Sequence, residues 1–448
     1  MNTPICDFLR QYSAQNASRL HMPGHKGKSF LGFEAMDITE ISGADSLYEA
    51  SGIIAQSEKN ASELFGSRTF YSTEGSSLCI RAMLYLAMLH AKESGRANLV
   101  WATRNAHKTF MSAAALLGFD TKWLYGKDVS SYLSCAIDAE ALDQEFSLAA
   151  ALPAAVYVTS PDYLGTTSDI AALAGVCHRH GVLLIVDNAH GAYLKFLPGS
   201  LHPIDLGADM CCDSAHKTLP VLTGGAYMHL SPVLPPELTK QAKAALALFG
   251  STSPSYLILA SLDHANCYIA NGYRQRLSDF AQKLDSVKRT LTHSGYVLLG
   301  DEKLKLTIDA KSYGYTGSEI ADILEKKNII CEFADPDFAV LMLTPENDNE
   351  ELSALTDALL GIPQRRAITQ RAPLMSEPQK AMNIRDASLC MREELDVANA
   401  HGRVLASANV ACPPAVPIVV CGEVITHDAI ECMKYYGIEK CSVVKQVL

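Results

Sequence analysis

The strongest constraint on the fold is a regular alternation of short apolar runs with longer segments whose apolar residues recur at helical spacing. The short runs are Leu99–Thr103, Ala155–Thr159, Leu183–Asp187, Met210–Cys212 and Ala226–Leu230. The longer segments are Thr109–Leu117, Ile170–His180 and Pro236–Phe249. Buried strands that alternate with helices are typical of parallel sheets covered on both faces. The alternation therefore predicts a large α/β domain built on a mostly parallel sheet.

After residue 290 the pattern becomes that of a smaller α+β domain. The predicted strands are Tyr296–Leu299, Leu304–Ile308, Ile329–Phe333 and Ala339–Leu343, and the predicted helices are Gly317–Lys327 and Asn349–Leu360. In the tail, a helix is expected from Ala387 to His401, before a proline-rich turn at Pro413, Pro414 and Pro417. The expected segments are an irregular N-terminal stretch 1–55, a large domain 56–290, a small domain 291–362, a linker 363–388 and a C-terminal region 389–448.

The composition argues against several classes of function. The formal net charge is -11, whereas a broad nucleic-acid-binding surface is basic. The thirteen cysteines lack the paired spacing of zinc sites, so we expect buried free thiols and no metal. No run of about 18 apolar residues occurs, and the first residues have no apolar signal core. We therefore expect a cytoplasmic protein that neither binds nucleic acid nor enters a membrane.

A histidine precedes a lysine at three places, and the setting distinguishes them. The pairs are His25-Lys26, His107-Lys108 and His216-Lys217. Lys217 follows one predicted strand and precedes a Gly-Gly turn and a second strand, at the mouth of the sheet where α/β proteins bind ligands. Earlier in the chain, another buried strand ends in the carboxylate of Asp187. The sequence therefore favours Lys217 and Asp187 as partners in one site.

This pair fits the chemistry of pyridoxal phosphate. A lysine amine condenses with the cofactor's aldehyde, and an aspartate beside the pyridine nitrogen keeps that nitrogen protonated. The segment Ser72–Ser77 opens a helix and offers N–H groups and hydroxyls to a phosphate, and His107 is placed to stack on the ring. Each residue alone is more often a cap, a turn residue or a surface charge. Their order along one α/β chain carries the prediction.

At these residues the chain resembles the Orn/Lys/Arg decarboxylases, which are fold-type-I pyridoxal-phosphate enzymes. It is similar to their short form, which lacks an N-terminal response-regulator-like domain. The matching stretches are His21–Gly27, Asp37–Glu40, Thr73–Ser77, Asn105–Lys108, Asp187–Gly191, Ser214–Pro220 and Ser251–Ser255, with Gly402–Val404, Pro413–Pro414 and Gly422–Glu423 in the C-terminal region. The resemblance covers nearly the whole chain, and Ser214–Pro220 is its most specific part.

The resemblance implies a role for each matched residue around the cofactor's ring. Lys217 carries the cofactor as a Schiff base, and Asp187 pairs with the pyridine nitrogen. His107 stacks on the ring, and His190 lines the cofactor's other edge. His216 lies beside the Schiff base, where it is expected to help deliver the proton that replaces the carboxylate.

The resemblance also implies phosphate contacts and a homodimer. The residues expected to contact the phosphate are Gly75, Ser76, Ser77 and Ser214. Ser251 and Thr252 belong to a segment expected to approach a neighbouring subunit's active site, because fold-type-I sites form at a dimer interface. The N-terminal segment 1–55 is expected near the active site and this interface.

The chain departs from the family pattern at three positions. The short forms usually have Glu after the strand-ending aspartate, where this chain has Asn188. Many have Pro before the late Gly-Glu pair, where this chain has Cys421, and the usual Pro-Pro-Gly ends here in Ala415. These changes spare the lysine, the aspartate and the ring-stacking histidine, and they bear on substrate identity.

The implied reaction is decarboxylation of arginine, lysine or ornithine to an amine of polyamine-related metabolism. A cationic side chain requires an acidic partner, and Asp45, Glu49 and Glu423 are candidates by position, although such carboxylates are more often surface or capping groups. The residues leave two alternatives open. One is another enzyme on the same fold, such as an aminotransferase, an aldolase or a β-eliminating lyase. The other is a non-catalytic homologue that acts as a partner protein.

Overall fold

The computed structural model describes residues 1–126, 131–373, 375–407 and 414–445; Pro413, expected in the proline-rich turn, lies outside them. The helices are α1 (Pro4–Ala14), α2 (Ile53–Phe65), α3 (Gly75–Ser94), α4 (Lys108–Leu117), α5 (Ala139–Leu148), α6 (Ile170–Arg179), α7 (Ala215–Thr218), α8 (Pro236–Lys240), α9 (Ala242–Phe249), α10 (Tyr256–Ala270), α11 (Tyr273–His293), α12 (Gly317–Glu325), α13 (Asn349–Leu360), α14 (Ile384–Leu389) and α15 (His427–Tyr435). The strands are β1 (Arg68–Ser72), β2 (Leu99–Thr103), β3 (Asp120–Leu124), β4 (Ala155–Thr159), β5 (Leu183–Asp187), β6 (Met210–Asp213), β7 (Ala226–Leu230), β8 (Val297–Leu299), β9 (Lys305–Asp309), β10 (Phe333–Ala334), β11 (Phe338–Met342), β12 (Arg392–Asp396) and β13 (Lys440–Val444).

By its internal contacts the chain divides into two units, each made of separate stretches of sequence. Unit 1 comprises Met1–Ala97 and Ile170–Ser278, and unit 2 comprises Asn98–Asp169 and Asp279–Leu448. None of the described helices combines the length and the apolar character that crossing a membrane requires.

The strands of unit 1 hydrogen-bond in the order β1-β7-β6-β5. β5 and β6 are parallel, as predicted, but β7 runs antiparallel to both β6 and β1. The predicted fold class, a mostly parallel sheet, allows for one such reversed strand. Because β7 alone is reversed, the carboxyl ends of β1, β5 and β6 lie at one edge of the sheet, beside the start of β7.

Helix α3 covers the sheet of unit 1 and is apolar around most of its circumference. It packs against β1, β5, β6 and β7. Leu78, Met83 and Leu86 are fully buried, and removing each such side chain from water stabilises the fold by about 1.5–3 kcal/mol. This burial fixes the start of α3 at the edge where the strands end.

Unit 1 also differs from the sequence prediction at two helices. Residues 1–55 were expected to be irregular, yet they contain α1, whose first N–H groups at Ile5 and Cys6 donate to the Asp263 carboxylate at 3.0 Å. That capping group lies far along the chain, so local sequence cannot reveal it. The single helix expected over Pro236–Phe249 is two helices, α8 and α9, which meet at Gln241.

The strands of unit 2 form three groups. β4, β2 and β3 pair in parallel in that order, β10-β11-β9-β8 form an antiparallel sheet, and β12 pairs with β13. The strand expected over Ile329–Phe333 is displaced to Phe333–Ala334. The helix expected from Ala387 to His401 is wrong, because the structure has the short helix α14 and then the exposed strand β12.

Candidate active site

The edge of unit 1 where β1, β5 and β6 end carries most of the residues singled out from the sequence. Asp187 is the last residue of β5, and Ser214 to Lys217 follow β6 directly. β1 leads through a tight turn into α3, which begins at Gly75. Carboxyl ends of parallel strands and helix N-termini are common ligand-binding positions in α/β proteins.

Lys217 and His190 are in direct contact at this edge. The Lys217 Nζ atom lies 2.8 Å from Nε2 of His190. An ammonium can only donate, so in the charged form of Lys217 the histidine nitrogen is the acceptor. His190 is buried, whereas Lys217 is partly exposed. The contact with His190 therefore orients the amine of a lysine side chain that is partly exposed.

Asp187 is a buried carboxylate that has a backbone N–H and a thiol among its contacts. Its Oδ1 accepts from the N–H of Ala189 at 3.2 Å and lies 3.7 Å from the Cys212 thiol. The side chain of the next residue, Asn188, contacts Asp213, and its side-chain oxygen lies beside Gly191. A Cβ at Gly191 would lie 1.9 Å from that oxygen, which explains the glycine after His190.

Asp213, the last residue of β6, is a buried charge that the sequence prediction missed. It accepts from Asn188 Nδ2 at 2.7 Å and from Nε2 of His202 and of His229 at 3.1 Å each. Burial opposes its ionisation, but the two histidines hold the pKa of Asp213 far below its usual value. The Cys211 thiol lies 3.9 Å from His202 Nε2, so three potential metal ligands converge here; the Asp–His hydrogen bonds account for this closeness.

The start of α3 forms a polar cradle with the segment that follows β6. Ser214 Oγ donates to Ser76 Oγ at 2.9 Å, and the N–H of Gly75 donates to the Gly224 carbonyl at 2.7 Å. Gly224 has a φ of 97°, and a Cβ there would lie 2.9 Å from the Thr73 carbonyl oxygen. The next N–H groups of the first turn, from Ser76 onward, point out of the helix start, as an anion site requires.

His216 lies in unit 1, whereas His107 lies in unit 2. Nδ1 of His216 is 3.0 Å from the carbonyl of Gly225, and since a carbonyl only accepts, Nδ1 carries a proton. His107 belongs to unit 2, where it is the N-cap of α4, and its Nδ1 accepts from the N–H of Thr109 at 3.1 Å. The stacking role expected for His107 remains a prediction.

The segment with Ser251 and Thr252 lies beside the start of α3 in its own chain. The N–H of Ser251 donates to the Glu74 carboxylate at 2.6 Å, and both Ser251 and Thr252 are exposed. This placement brings the segment to the cradle within unit 1. An approach to a neighbouring subunit remains a prediction.

The three acidic candidates for a substrate's cationic end have different surroundings. The Asp45 carboxylate accepts N–H groups at the start of α2, including those of Ser51 and Gly52, and these donors outweigh burial and lower the pKa of Asp45. Glu423, in unit 2, is buried against Arg104 at 3.0 Å, and burial raises its pKa. Glu49 is exposed. The Asp45 carboxylate therefore accepts hydrogen bonds from backbone N–H groups, which the sequence could not show.

The donor set of unit 1 fits pyridoxal phosphate. Lys217 supplies an amine held by His190, and Asp187 supplies a buried carboxylate. The hydroxyls of Ser76 and Ser214 meet at a helix N-terminus, which suits a phosphate. We refer to these five residues as the Lys217 cluster.

Comparison with known proteins assigns the family. A family model for the Orn/Lys/Arg decarboxylase major domain matches residues 3–306, more than half of the chain, and a model for the C-terminal domain of the same family matches residues 364–441. The chain belongs to the Orn/Lys/Arg decarboxylase family. The resemblance read from the sequence motifs is confirmed. The protein is accordingly a pyridoxal-phosphate-dependent decarboxylase that acts on a basic amino acid.

Individual relatives align along nearly the full chain. The uncharacterized protein YaaO of Bacillus subtilis is 30% identical, with 96% of this chain and 93% of the relative covered. An arginine decarboxylase of Halalkalibacterium halodurans is 30% identical, with 95% and 91% covered. The lysine decarboxylase LdcF of Francisella novicida has the same fold, with a TM-score of 0.78 at 16% identity, covering 99% of this chain and 81% of that one. The predicted fold-type-I class is confirmed.

Proposed function

We propose that Lys217 is the residue to which the cofactor is attached in this decarboxylase. The observation that carries the proposal is the 2.8 Å contact between Lys217 Nζ and His190 Nε2, at the edge where β5 ends in Asp187. A histidine that accepts from the ammonium orients the amine and can receive its proton. An uncharged amine is the form that attacks an aldehyde carbon.

The rest of the Lys217 cluster, together with Ser77, binds and orients the cofactor. The bound cofactor supplies an electron-withdrawing ring that accepts the electron pair of the bond to the departing carboxylate. The anionic Asp187 favours a protonated pyridine nitrogen at the end of β5. Ser76, Ser77 and Ser214 bind the phosphate together with the first turn of α3. His107 provides the flat surface against which the ring stacks.

His216 is the proposed proton donor to the substrate carbon. Its Nδ1 donates to the Gly225 carbonyl, which orients the ring, and in the imidazolium form Nε2 would carry the proton that is transferred. The hydrogen bond makes His216 a positioned group, which general acid catalysis requires.

The substrate we propose is arginine, with lysine and ornithine as the other basic amino acids to compare. Relatives that align over more than nine-tenths of this chain are arginine decarboxylases, which supports this choice. Among the acidic candidates, Asp45 is committed to backbone N–H groups and Glu423 to Arg104. Glu49 therefore remains the carboxylate to test for the substrate's cationic end. The amine product would serve polyamine metabolism in the cytoplasm.

We propose that the protein is a homodimer. We also propose that each chain is divided into the five segments expected from the sequence. The family-model matches, which end at residue 306 and resume at residue 364, support a separate small domain between the major and C-terminal domains.

A panel assay tests the substrate assignment. Purified protein with pyridoxal phosphate is offered arginine, lysine and ornithine separately, and carbon dioxide and the amine formed are measured. We expect release of carbon dioxide from arginine with the largest kcat/KM and no α-keto acid. Formation of α-keto acid without carbon dioxide would contradict the proposed reaction, and a larger kcat/KM for lysine or ornithine would contradict the substrate.

A further inference from the structure

The ends of β5 and β6 are joined by contacts that continue beyond the regular pairing of the two strands. In the parallel register Asp187 lies opposite Cys212, and the Cys212 thiol is 3.7 Å from Asp187 Oδ1. The N–H of Asn188 then donates to the Cys212 carbonyl at 3.0 Å. One residue further along, Asn188 Nδ2 donates to Asp213 Oδ1 at 2.7 Å. This side-chain bond prolongs the pairing past the end of β5.

The Asn188–Asp213 hydrogen bond is short and has a charged acceptor. Both side chains are fully buried. A carboxylate can only accept, so Asn188 presents its amide nitrogen to it. Bonds to a charged group are stronger than bonds between neutral groups, and a surrounding of low dielectric strengthens them further. The bond therefore resists a displacement of one strand end relative to the other.

Asp213 is the fixed partner of this pair. Its Oδ2 accepts from His202 and His229 at 3.1 Å each, which orients the plane of the carboxylate. His229 lies on β7, and its Nδ1 is 2.9 Å from Thr69 Oγ1 on β1. Asp213 is thus held by groups from several segments of unit 1, and through Asp213 these groups also hold Asn188.

The two strand ends carry the groups assigned to the cofactor. β5 ends in Asp187, immediately before Asn188. β6 ends in Asp213, immediately before the segment that contains Ser214 and Lys217. The position of the carboxylate relative to the phosphate cradle and the lysine amine therefore depends on how the end of β5 is held against β6. Displacements of about 1 Å are enough to impair a site of this kind.

We propose that Asn188 and Asp213 are positioning residues, whose hydrogen bond holds Asp187 in place relative to Ser214 and Lys217. This role rests on the proposed assignment of those three residues to the cofactor. No proton or bond of the reaction passes through Asn188 or Asp213. Without their bond the Asp187 carboxylate would move from its place, so it would stabilise a protonated pyridine nitrogen less and retain the cofactor less well.

Two measurements on the holoenzyme report this effect without measuring catalysis. The first is the rate at which bound pyridoxal phosphate is lost after dilution into cofactor-free buffer, with the retained cofactor quantified after gel filtration. The second is the ¹⁵N chemical shift of the pyridine nitrogen in enzyme reconstituted with ¹⁵N-labelled pyridoxal phosphate. That shift distinguishes a protonated from an unprotonated nitrogen, which a purely structural role of the pair would leave unchanged.

A reciprocal exchange tests the pair. Asn188→Asp places a second carboxylate against Asp213, and Asp213→Asn removes the charged acceptor. We expect each to lose the cofactor roughly tenfold faster than wild type and to move the ¹⁵N shift toward the unprotonated value. The double variant again places an amide opposite a carboxylate, so it should lose the cofactor more slowly than either single variant. Asn188→Ala deletes the donor without adding a charge and should behave like the single variants.

Asp209→Asn is the matched control. Asp209 is a buried carboxylate that accepts from His178 Nε2 at 3.1 Å and from the N–H of Leu184 at 2.8 Å. It immediately precedes β6, at the opposite end of the strand from Asp213. Asp209→Asn should therefore lower the Tm, as Asp213→Asn does, while the rate of cofactor loss and the ¹⁵N shift remain those of the wild type.

The outcomes separate the positioning role from the cofactor assignment. Wild-type cofactor loss and a wild-type ¹⁵N shift in the folded single variants would overturn the positioning role. So would a double variant that loses the cofactor faster than both single variants, or an equal effect of Asp209→Asn. Asp187→Ala is the reference: wild-type cofactor loss and ¹⁵N shift in this variant would overturn the assignment of Asp187, and the positioning role with it. Altered values in Asp187→Ala beside unchanged single variants would overturn the positioning role alone.

Discussion

Asp213→Asn removes the charge at the centre of the network behind the cofactor edge. Both histidine bonds converge on Oδ2 of Asp213, and the bond from Asn188 goes to Oδ1. An asparagine side chain has one acceptor oxygen instead of two. Its amide nitrogen would therefore face either the two histidine donors or the donor of Asn188. Removing one partner of a buried charged pair costs about 3–5 kcal/mol.

This cost converts into a measurable change of melting temperature. With an unfolding entropy of about 2.1 cal/mol/K per residue, a chain of 448 residues has about 0.9 kcal/mol/K in total. The expected decrease in Tm is therefore about 3–5 °C. Differential scanning calorimetry of the wild type and the variant at the same scan rate measures it.

The pH dependence and a control complete this test. A carboxyl whose pKa is depressed by folding contributes its stability above its unfolded pKa of about 3.9 and loses it only as the pH falls through the lower folded value. Thermal melts at about pH 5 and above, where the carboxyl is ionised in both the folded and the unfolded state, should therefore show the decrease in Tm. Glu237→Gln, in an exposed pair with Lys240, should change Tm by less than about 1 °C. A similarly small change for Asp213→Asn would refute the reasoning.

Three further substitutions test other parts of the structure. Gly191→Ala should lower the Tm by several degrees and weaken cofactor binding, because its Cβ would collide with the side chain of Asn188; a wild-type Tm and wild-type cofactor affinity would contradict this. Burial raises the pKa of Asp335 to about 6, so the wild-type protein should lose stability as the pH rises from about 4 to about 6. Asp335→Asn removes this titration and should stabilise the protein by about 2–3 kcal/mol at pH 7. Thermal melts across that range should show no such loss in the variant; parallel pH profiles would argue against a buried charge. Arg104→Ala should destabilise by about 3–5 kcal/mol and more than Glu423→Gln, because it leaves a buried carboxylate unpaired; the reverse order in calorimetry would count against this pairing.

Much of the large domain was predictable because its strands are short, apolar and bounded by turn residues. The predicted bounds of β2, β4, β5 and β7 agree with the structure. β12 was not predictable in the same way. Its residues alternate between exposed and half-buried, and it exists because it pairs with β13, which is distant in sequence. The helical expectation there followed local propensity, which tertiary pairing overrides.

The candidate site was predictable where chemistry follows directly from a strand end. Lys217 and Asp187 were proposed as site residues from such strand ends, and the structure places Ser214 beside Ser76. Asp213 could not be identified from the sequence, because its role depends on the register of β6 and β7 and on a loop histidine. Asn188, noted as a departure from the family pattern, proves to be the hydrogen-bond partner of that carboxylate.

The central claim is tested most directly by locating the cofactor on the chain. The holoenzyme is reduced with borohydride, digested, and analysed by mass spectrometry for a peptide carrying the pyridoxyl group. The account predicts the label on Lys217, together with loss of label and of amine formation in a folded Lys217→Ala variant. Label on Lys26 or Lys108, the other lysines that follow a histidine, or amine formation that persists in Lys217→Ala, would contradict it.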